Sequence, residues 1–347
     1  MSSFYYNLLS GNEKTLYNII YAALVEGETS ISAPPLILGT SNIGRVIEYV
    51  KNDHPEFSFS IPWKFTRALA KLVIASPVEY IYETSVNRRF IEDFKRKLNV
   101  LCNSDYEKVR YVHDFIINSV DYDHNFIETE IVDPNNHNAM GVLNTGRGVC
   151  EGIARLTQLL LEAAGVEAIY CEGKSKTPAK SKIDGHAWNV VRIDGKYFYL
   201  DVSNDVCMTD KKVQKSHCYF CLSYDEIIRD RSFTLDAEFR KLQANYDEFS
   251  YFRRNGQIFS SVDEIRVWLD GALNKAIECD KRELFLQFKV SEKMLSDRNN
   301  SWEALCMSAL YGALDKLNAG RGRNKVSFSR KYCADDLGTM GVEFTFE

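Results

Sequence analysis

The sequence predicts an α+β protein in which a helix opening on a cysteine packs against an antiparallel sheet, with further α+β segments on either side. Three observations carry that expectation. NTGRGVCEGIARLTQLL (144–160) passes from a glycine-rich loop into an amphipathic helical run. HAWNVVRI and KYFYLDV (186–193 and 196–202) are two alternating strands joined by Asp194-Gly195, a strong two-residue hairpin signal. Past residue 235, helical and extended periods follow one another without a repeat.

Along the chain, Leu16, Ile19, Ile20 and Ala23 have helical spacing after the Ser10-Gly11-Asn12 turn. Val73, Val78, Tyr80 and Tyr82 read as extended, and 87–102 reads as an amphipathic helix. A new helix starts at Ser104, where Ser104 and Glu107 form a capping-box pattern. Val109, Val112, Phe115 and Ile116 share its inner face. The cysteine helix turns Ile153, Leu156, Leu159, Leu160 and Ala163 inward and stops at Gly165. Strands follow at 168–173, 186–193 and 196–202. The C-terminal part reads helix, strand, helix and two strands. This divides the chain into an N-terminal region (1–103), a core (104–235) and a C-terminal region (236–347).

Composition narrows the function. The chain has 347 residues, 45% of them apolar, enough for several cores. A net charge of −5 and the lack of long basic runs argue against nucleic acid as a partner. No leader pattern and no long apolar run is seen, so a cytoplasmic protein without membrane contact is expected. Nine cysteines, odd in number and irregularly spaced, fit reduced thiols.

Cys150 sits where a helix begins, and the unpaired N–H groups and dipole there favour a thiolate. Gly146 and Gly148 allow close backbone approach to a substrate. A thiol nucleophile needs a base, and the base needs an orienting group. With a turn at Asp194-Gly195, positions summing to 389 face each other, so His186 lies opposite Ser203 and Asp201 opposite Trp188. His186 and Asp201 are then diagonal neighbours on one face. Taken singly, each of these residues has an ordinary structural reading; the ordered set is what suggests chemistry. Glu151 beside the thiol suits a helix start but opposes a negative sulfur.

The stretches GRGVCEGIA (146–154), HAWNVVRIDGKY (186–197) and LDVSND (200–205) together resemble the transglutaminase-like superfamily of papain-like thiol enzymes, in its bacterial branch. EKVRYVHDFIINSVDYD (107–123) and YFCLSYDEI (219–227) are similar to its flanking stretches, and LLSGNEKTLYNII and DHPEFSFS (53–60) to its N-terminal companions more loosely. The resemblance implies a papain-like core and places the nucleophile on Cys150, the base on His186 and the aspartate on Asp201. It implies attack on a protein or peptide carboxamide through a thioester, resolved by water (a cysteine peptidase or amidase) ahead of an amine (a cross-linking acyltransferase). Two departures touch the substrate side: Asn204 replaces a tryptophan, and Met140 an aromatic. Asn138 and His137 are candidate oxyanion or substrate residues, with Gly148 and Trp188 beside them. The competing expectation is a scaffold for protein–protein interaction that keeps the triad idle.

Other features read as structural. Cys218-Tyr-Phe-Cys221 reads as a buried strand, not a zinc site, since no second Cys pair has suitable spacing. His113 reads as a packed, hydrogen-bonded residue and His54 as part of a turn before proline. The basic loops 174–182 and 318–325 read as solvated. No D-x-[DN]-x-[DN]-G loop occurs, and neither metal nor cofactor is expected.

Overall fold

The structure, a computed structural model, describes residues 3–28, 30–57, 63–66, 71–74, 78–124, 133–176, 185–209, 215–242, 246–319 and 325–346. Parts of the basic loops (177–182 and 320–324) and the end of DHPEFSFS (58–60) lie outside the described residues.

The N-terminal part is built from α1 (Gly11–Glu26), β1 (Ser30–Ser32), α2 (Ile43–Asp53), β2 (Trp63–Thr66) and β3 (Lys71–Ile74). Ser10 and Glu13 form a capping box at the start of α1, and Gly27 ends it in the left-handed conformation. Leu16, Ile20, Val46, Ile47 and Val50 make its core. Next comes α3 (Val78–Leu101), one unbroken helix. Val78, Tyr80 and Tyr82 therefore lie in a helix and not in a strand; only Val73 is extended, in β3. The β-preference of a short Val/Tyr stretch yields to a long helix anchored by Phe90, Phe94 and Leu98, four residues apart on one face.

The central part places α4 (Asp105–Ser119), β4 (Asp121–Tyr122), α5 (Ala139–Thr145), β5 (Arg147–Gly148) and α6 (Cys150–Ala163) before the main sheet. Ser104 caps α4 by accepting from the Glu107 N–H, while Glu107 reaches back to Asn103. Helix α6 buries Ile153, Leu156, Leu159 and Leu160 as its spacing predicts, Ala163 being half-buried. It packs against an antiparallel sheet with the order β8-β7-β6-β9, made of β6 (Ala168–Ser175), β7 (His186–Ile193), β8 (Lys196–Leu200) and β9 (Arg231–Phe233). The hairpin register is the expected one: Ile193 pairs with Lys196 and Asn189 with Leu200. Chain then turns into α7 (Val202–Met208). Residues 218–221 form a turn, not a strand: Cys221 takes φ 52°, and only Leu222 bridges to Tyr199. A short apolar run does not fix its own secondary structure.

In the C-terminal part, α8 (Val262–Glu278), β11 (Glu283–Val290), α9 (Trp302–Asn318), β12 (Val326–Ala334) and β13 (Thr339–Phe346) appear in the expected order, preceded by a short strand β10 (Ile258–Phe259) that the sequence reading lacked. The sheet β10-β11-β13-β12 shares a core with both helices through Leu269, Leu273, Leu310, Phe288 and Phe344.

Two polar clamps fasten the N-terminal part to the α6 layer. The buried Asp53 carboxylate accepts the N–H groups of Tyr5 and Tyr6 and the Tyr17 hydroxyl, and Tyr5 donates to the Tyr170 carbonyl. Fully buried Arg155 donates to the Lys51 carbonyl (3.0 Å), Asn52 (3.2 Å) and Glu151 (3.1 Å), and lies over the Tyr170 ring. Gln158 donates to the Asn52 carbonyl. Arg155→Ala strands the buried Lys51 and Asn52 acceptors and leaves a cavity, so urea denaturation should show a loss of about 3 kcal/mol. A loss below about 0.5 kcal/mol would show that the clamp adds nothing.

Candidate active site

Cys150 is the first residue of α6, after the N-cap Val149, whose side chain offers no cap. The first N–H groups of a helix have no partner within it, so they are available to an anion. Gly152, one turn in, is required by packing: a Cβ there would collide with the Asn136 carbonyl. Its absence lets the 134–137 segment press onto the helix start.

His186 begins β7, and Asp201 follows β8 as the N-cap of α7. The ladder ends at Asn189↔Leu200, so the pairings expected for His186 with Ser203 and for Asp201 with Trp188 do not form. Chain departure at Asp201 instead brings one of its carboxylate oxygens to 2.6 Å from His186 Nε2. The other oxygen accepts from Ser203 Oγ (2.9 Å) and the Asn204 N–H (3.1 Å). Asn204 Nδ2 adds a bond at 3.3 Å. Asp201 is fully buried, whereas His186 keeps partial exposure. With Nε2 occupied, Nδ1 is the ring nitrogen left for another partner, and Cys150 stands near enough to help hold the imidazole's proton.

The electrostatics follow from this burial. Desolvation would depress the His186 imidazole, but the Asp201 charge and hydrogen bond, aided by Cys150, lift it to about 9. Desolvation would raise Asp201, yet His186 and then Arg231 hold it well below the usual carboxylate range. Glu151 is neutralised in place: it takes His137 Nδ1 at 3.0 Å and Arg155 Nε at 3.1 Å. Burial opposes its charge, but these partners bring it down to about 2. Cys207 on α7 is pushed up to about 12 by desolvation and then by the charges of Asp201 and Cys150. It stays a thiol at neutral pH.

The remaining sequence candidates lie around this pair. Asn138 caps α5, accepting from Gly141 N (2.7 Å) and donating to the Pro134 carbonyl (2.8 Å), so its amide serves the turn. Gly148 pairs with Tyr122 across β4–β5. Trp188 is fully buried and its ring stacks on His186 at 5.6 Å. Sequence reasoning missed Arg231, which donates to Asp201 from Nε (3.2 Å) and Nη2 (2.8 Å) and also binds Asp230. Its only local signal is a charge pair at the start of a short apolar strand.

Among the described residues, one group has atoms close enough to hold a cation: His113, Asp114 and His217. These atoms already satisfy one another. Asp114 Oδ1 lies 3.2 Å from His113 Nδ1 and 2.8 Å from His217 Nε2, and His113 Nε2 lies 3.0 Å from the buried Asp205. Burial opposes a charge on His113, but Asp114 and Asp205 raise it to about 8. An imidazolium thus supplies the positive charge that a metal would bring, and Arg110 stands 3.7 Å from the other Asp114 oxygen. The cluster fastens α4 to α7 and to the 216–217 segment.

Residues 92–202 match the family model of the transglutaminase-like superfamily, which places this segment in that superfamily. Among solved structures, a candidate cysteine protease from Cytophaga hutchinsonii is 22% identical over 33% of this chain and 37% of its own, with a TM-score of 0.28. A structure described as a TGase is 16% identical over 45% of this chain and 46% of its own, with a TM-score of 0.28. A candidate protease from Parabacteroides distasonis is 20% identical over 40% and 30%, with a TM-score of 0.25. The chain thus spans less than half the length of each of these structures. No curated protein matches it significantly. No helix among the described residues is long and apolar enough to cross a membrane.

Because the folded-state pKa of His186 is raised, the stability it contributes is complete below the unfolded value of about 6.5 and is lost as pH rises through about 9. Urea denaturation of the wild type and His186→Gln should differ by about 2–3 kcal/mol at pH 6 and converge above pH 9. A difference that does not change with pH would contradict the charged pair.

Proposed function

We propose that the protein is a thiol enzyme that cleaves protein or peptide carboxamides through Cys150, His186 and Asp201. The observation that carries this reading is a thiol at a helix start near an imidazole that a fully buried carboxylate holds at 2.6 Å. The thiol proton rests on His186 as the imidazolium, and the thiolate sulfur bonds to the carbonyl carbon while the C=O electron pair moves onto oxygen. The tetrahedral adduct collapses, the C–N bond breaks, and His186 returns the proton to the departing amine. The remaining thioester is resolved by a second acyl acceptor, with His186 removing its proton.

Water as the acceptor makes the protein a peptidase or amidase, and this outcome is ranked ahead of transfer to an amine. Asp201 fixes the ring so that one nitrogen faces sulfur, and it offsets the imidazolium charge. The site needs no cofactor for these steps. The alternative of a binding scaffold leaves Cys150 inert.

Alkylation by iodoacetamide at pH 7 separates the two. Cys150 should react ahead of the exposed Cys279, and His186→Ala should slow it by about tenfold or more. Reaction of Cys150 no faster than Cys279, or at an unchanged rate without His186, would favour the scaffold.

A further inference from the structure

Two cationic side chains converge on a single oxygen of Asp201. The oxygen that lies 2.6 Å from His186 Nε2 also accepts from Arg231 Nε (3.2 Å) and Nη2 (2.8 Å), and Asn204 Nδ2 reaches it at 3.3 Å. The other oxygen is taken by Ser203 Oγ and the Asn204 N–H, so the guanidinium and the imidazole draw on the same negative charge. Asp201 and Arg231 are both fully buried, where water does little to screen them. Arg231 is also held from behind. Its Nη1 donates to Asp230 and, at 3.2 Å, to Ser175 Oγ, while its guanidinium lies 4.8 Å from the Tyr219 ring, whose hydroxyl donates to Asp230. The other surroundings of His186 add little charge. β6 pairs it with Gly173, with Glu172 and Lys174 alternating onto the opposite face of the sheet. Its own strand offers the uncharged Trp188 ring, α6 offers Cys150, and α7 offers Cys207, which stays a thiol.

We propose that Arg231 is a positioning residue that sets the basicity of His186: by sharing the Asp201 oxygen, it withdraws part of the negative charge that would otherwise bind the imidazole proton too tightly. This role rests on the thiol-enzyme reading above and deepens it. Asp201 must stay ionised to orient the ring, yet a buried carboxylate with one cation for a partner would hold that cation's proton into strongly alkaline solution. Two like charges on one oxygen oppose each other, so the fixed guanidinium lowers the pH at which the imidazole becomes free. The step that needs a free imidazole is the second one. Once sulfur is acylated it carries no charge, and Asp201 and Arg231 together decide whether His186 is neutral. His186 then takes a proton from water as the O–C bond forms and the C=O pair moves onto oxygen; the C–S bond breaks when that pair returns.

Site-resolved NMR titration of the His186 ring tests this in the full chain carrying Cys150→Ala, where no thiol titrates beside the ring, as in the acylated form. Arg231→Gln should raise the His186 midpoint by about one unit or more, and Arg231→Lys, which restores a charge, should recover at least about half of that shift. Asp230→Asn keeps an acceptor for Tyr219 but leaves more of the guanidinium charge to Asp201, so it should move the midpoint the other way, downwards. That variant decides the question if Arg231→Gln does not fold. An Arg231 that only holds Asp201 in place would give the opposite result on removal, since a released carboxylate lets the midpoint fall. A fall or no change in Arg231→Gln, or a rise or no change in Asp230→Asn, would overturn the assignment. The thiol-enzyme reading is judged separately, by alkylation of Cys150 in the wild type, and survives that failure.

Discussion

The buried carboxylate of Asp201 is the interaction on which the rest of this site depends. It ends strand β8, starts helix α7, orients His186 and receives the guanidinium of Arg231. A lone carboxylate placed there would be protonated by its surroundings. The surrounding donors keep it ionised, and each of them fixes a different element: the Asn204 N–H fixes α7, His186 fixes β7, and Arg231 fixes β9. The charge that positions the base is therefore the same charge that closes the sheet. Such a centre tolerates little change, because removing one partner leaves another buried charge without compensation.

Around that centre, the thiol is held by backbone as much as by side chains. β4 pairs with the glycine loop, the 134–137 segment lies on Gly152, and Arg155 ties α6 to the end of α2. The N-terminal part is in this sense a brace for the helix that carries Cys150. Polar groups do much of the bracing, through Asp53, Arg155, Asn52 and Gln158, and each bonds to a named partner at a junction between elements. The same principle operates in the His113, Asp114, His217 and Asp205 network, which ties α4 to Asp205 within α7.

What was legible in the sequence was whatever local chemistry determines. Asp194-Gly195 admits one hairpin register, and that register brings His186 and Asp201 to the same end of the sheet. The apolar period after Cys150 fixes which face of α6 is buried. The ladder's early end was not legible, because Asp201 leaves the strand in order to cap a helix whose start depends on tertiary contacts. Arg231, thirty residues later along the chain, reaches Asp201 only because β9 pairs with β6, and nothing local announces that pairing. Residues 78–82 show the opposite failure: a local β-preference gave way to one continuous helix through Leu101. The turn at 218–221 likewise follows from its neighbours, not from its own apolar residues.

The central claim is that Asp201 holds His186 as an imidazolium through the neutral range. Site-resolved NMR titration of the His186 ring measures this directly. The account predicts a midpoint near 9 in the wild type and one at or below the ordinary value of about 6.5 in Asp201→Asn. A wild-type midpoint already at or below about 6.5 would contradict it.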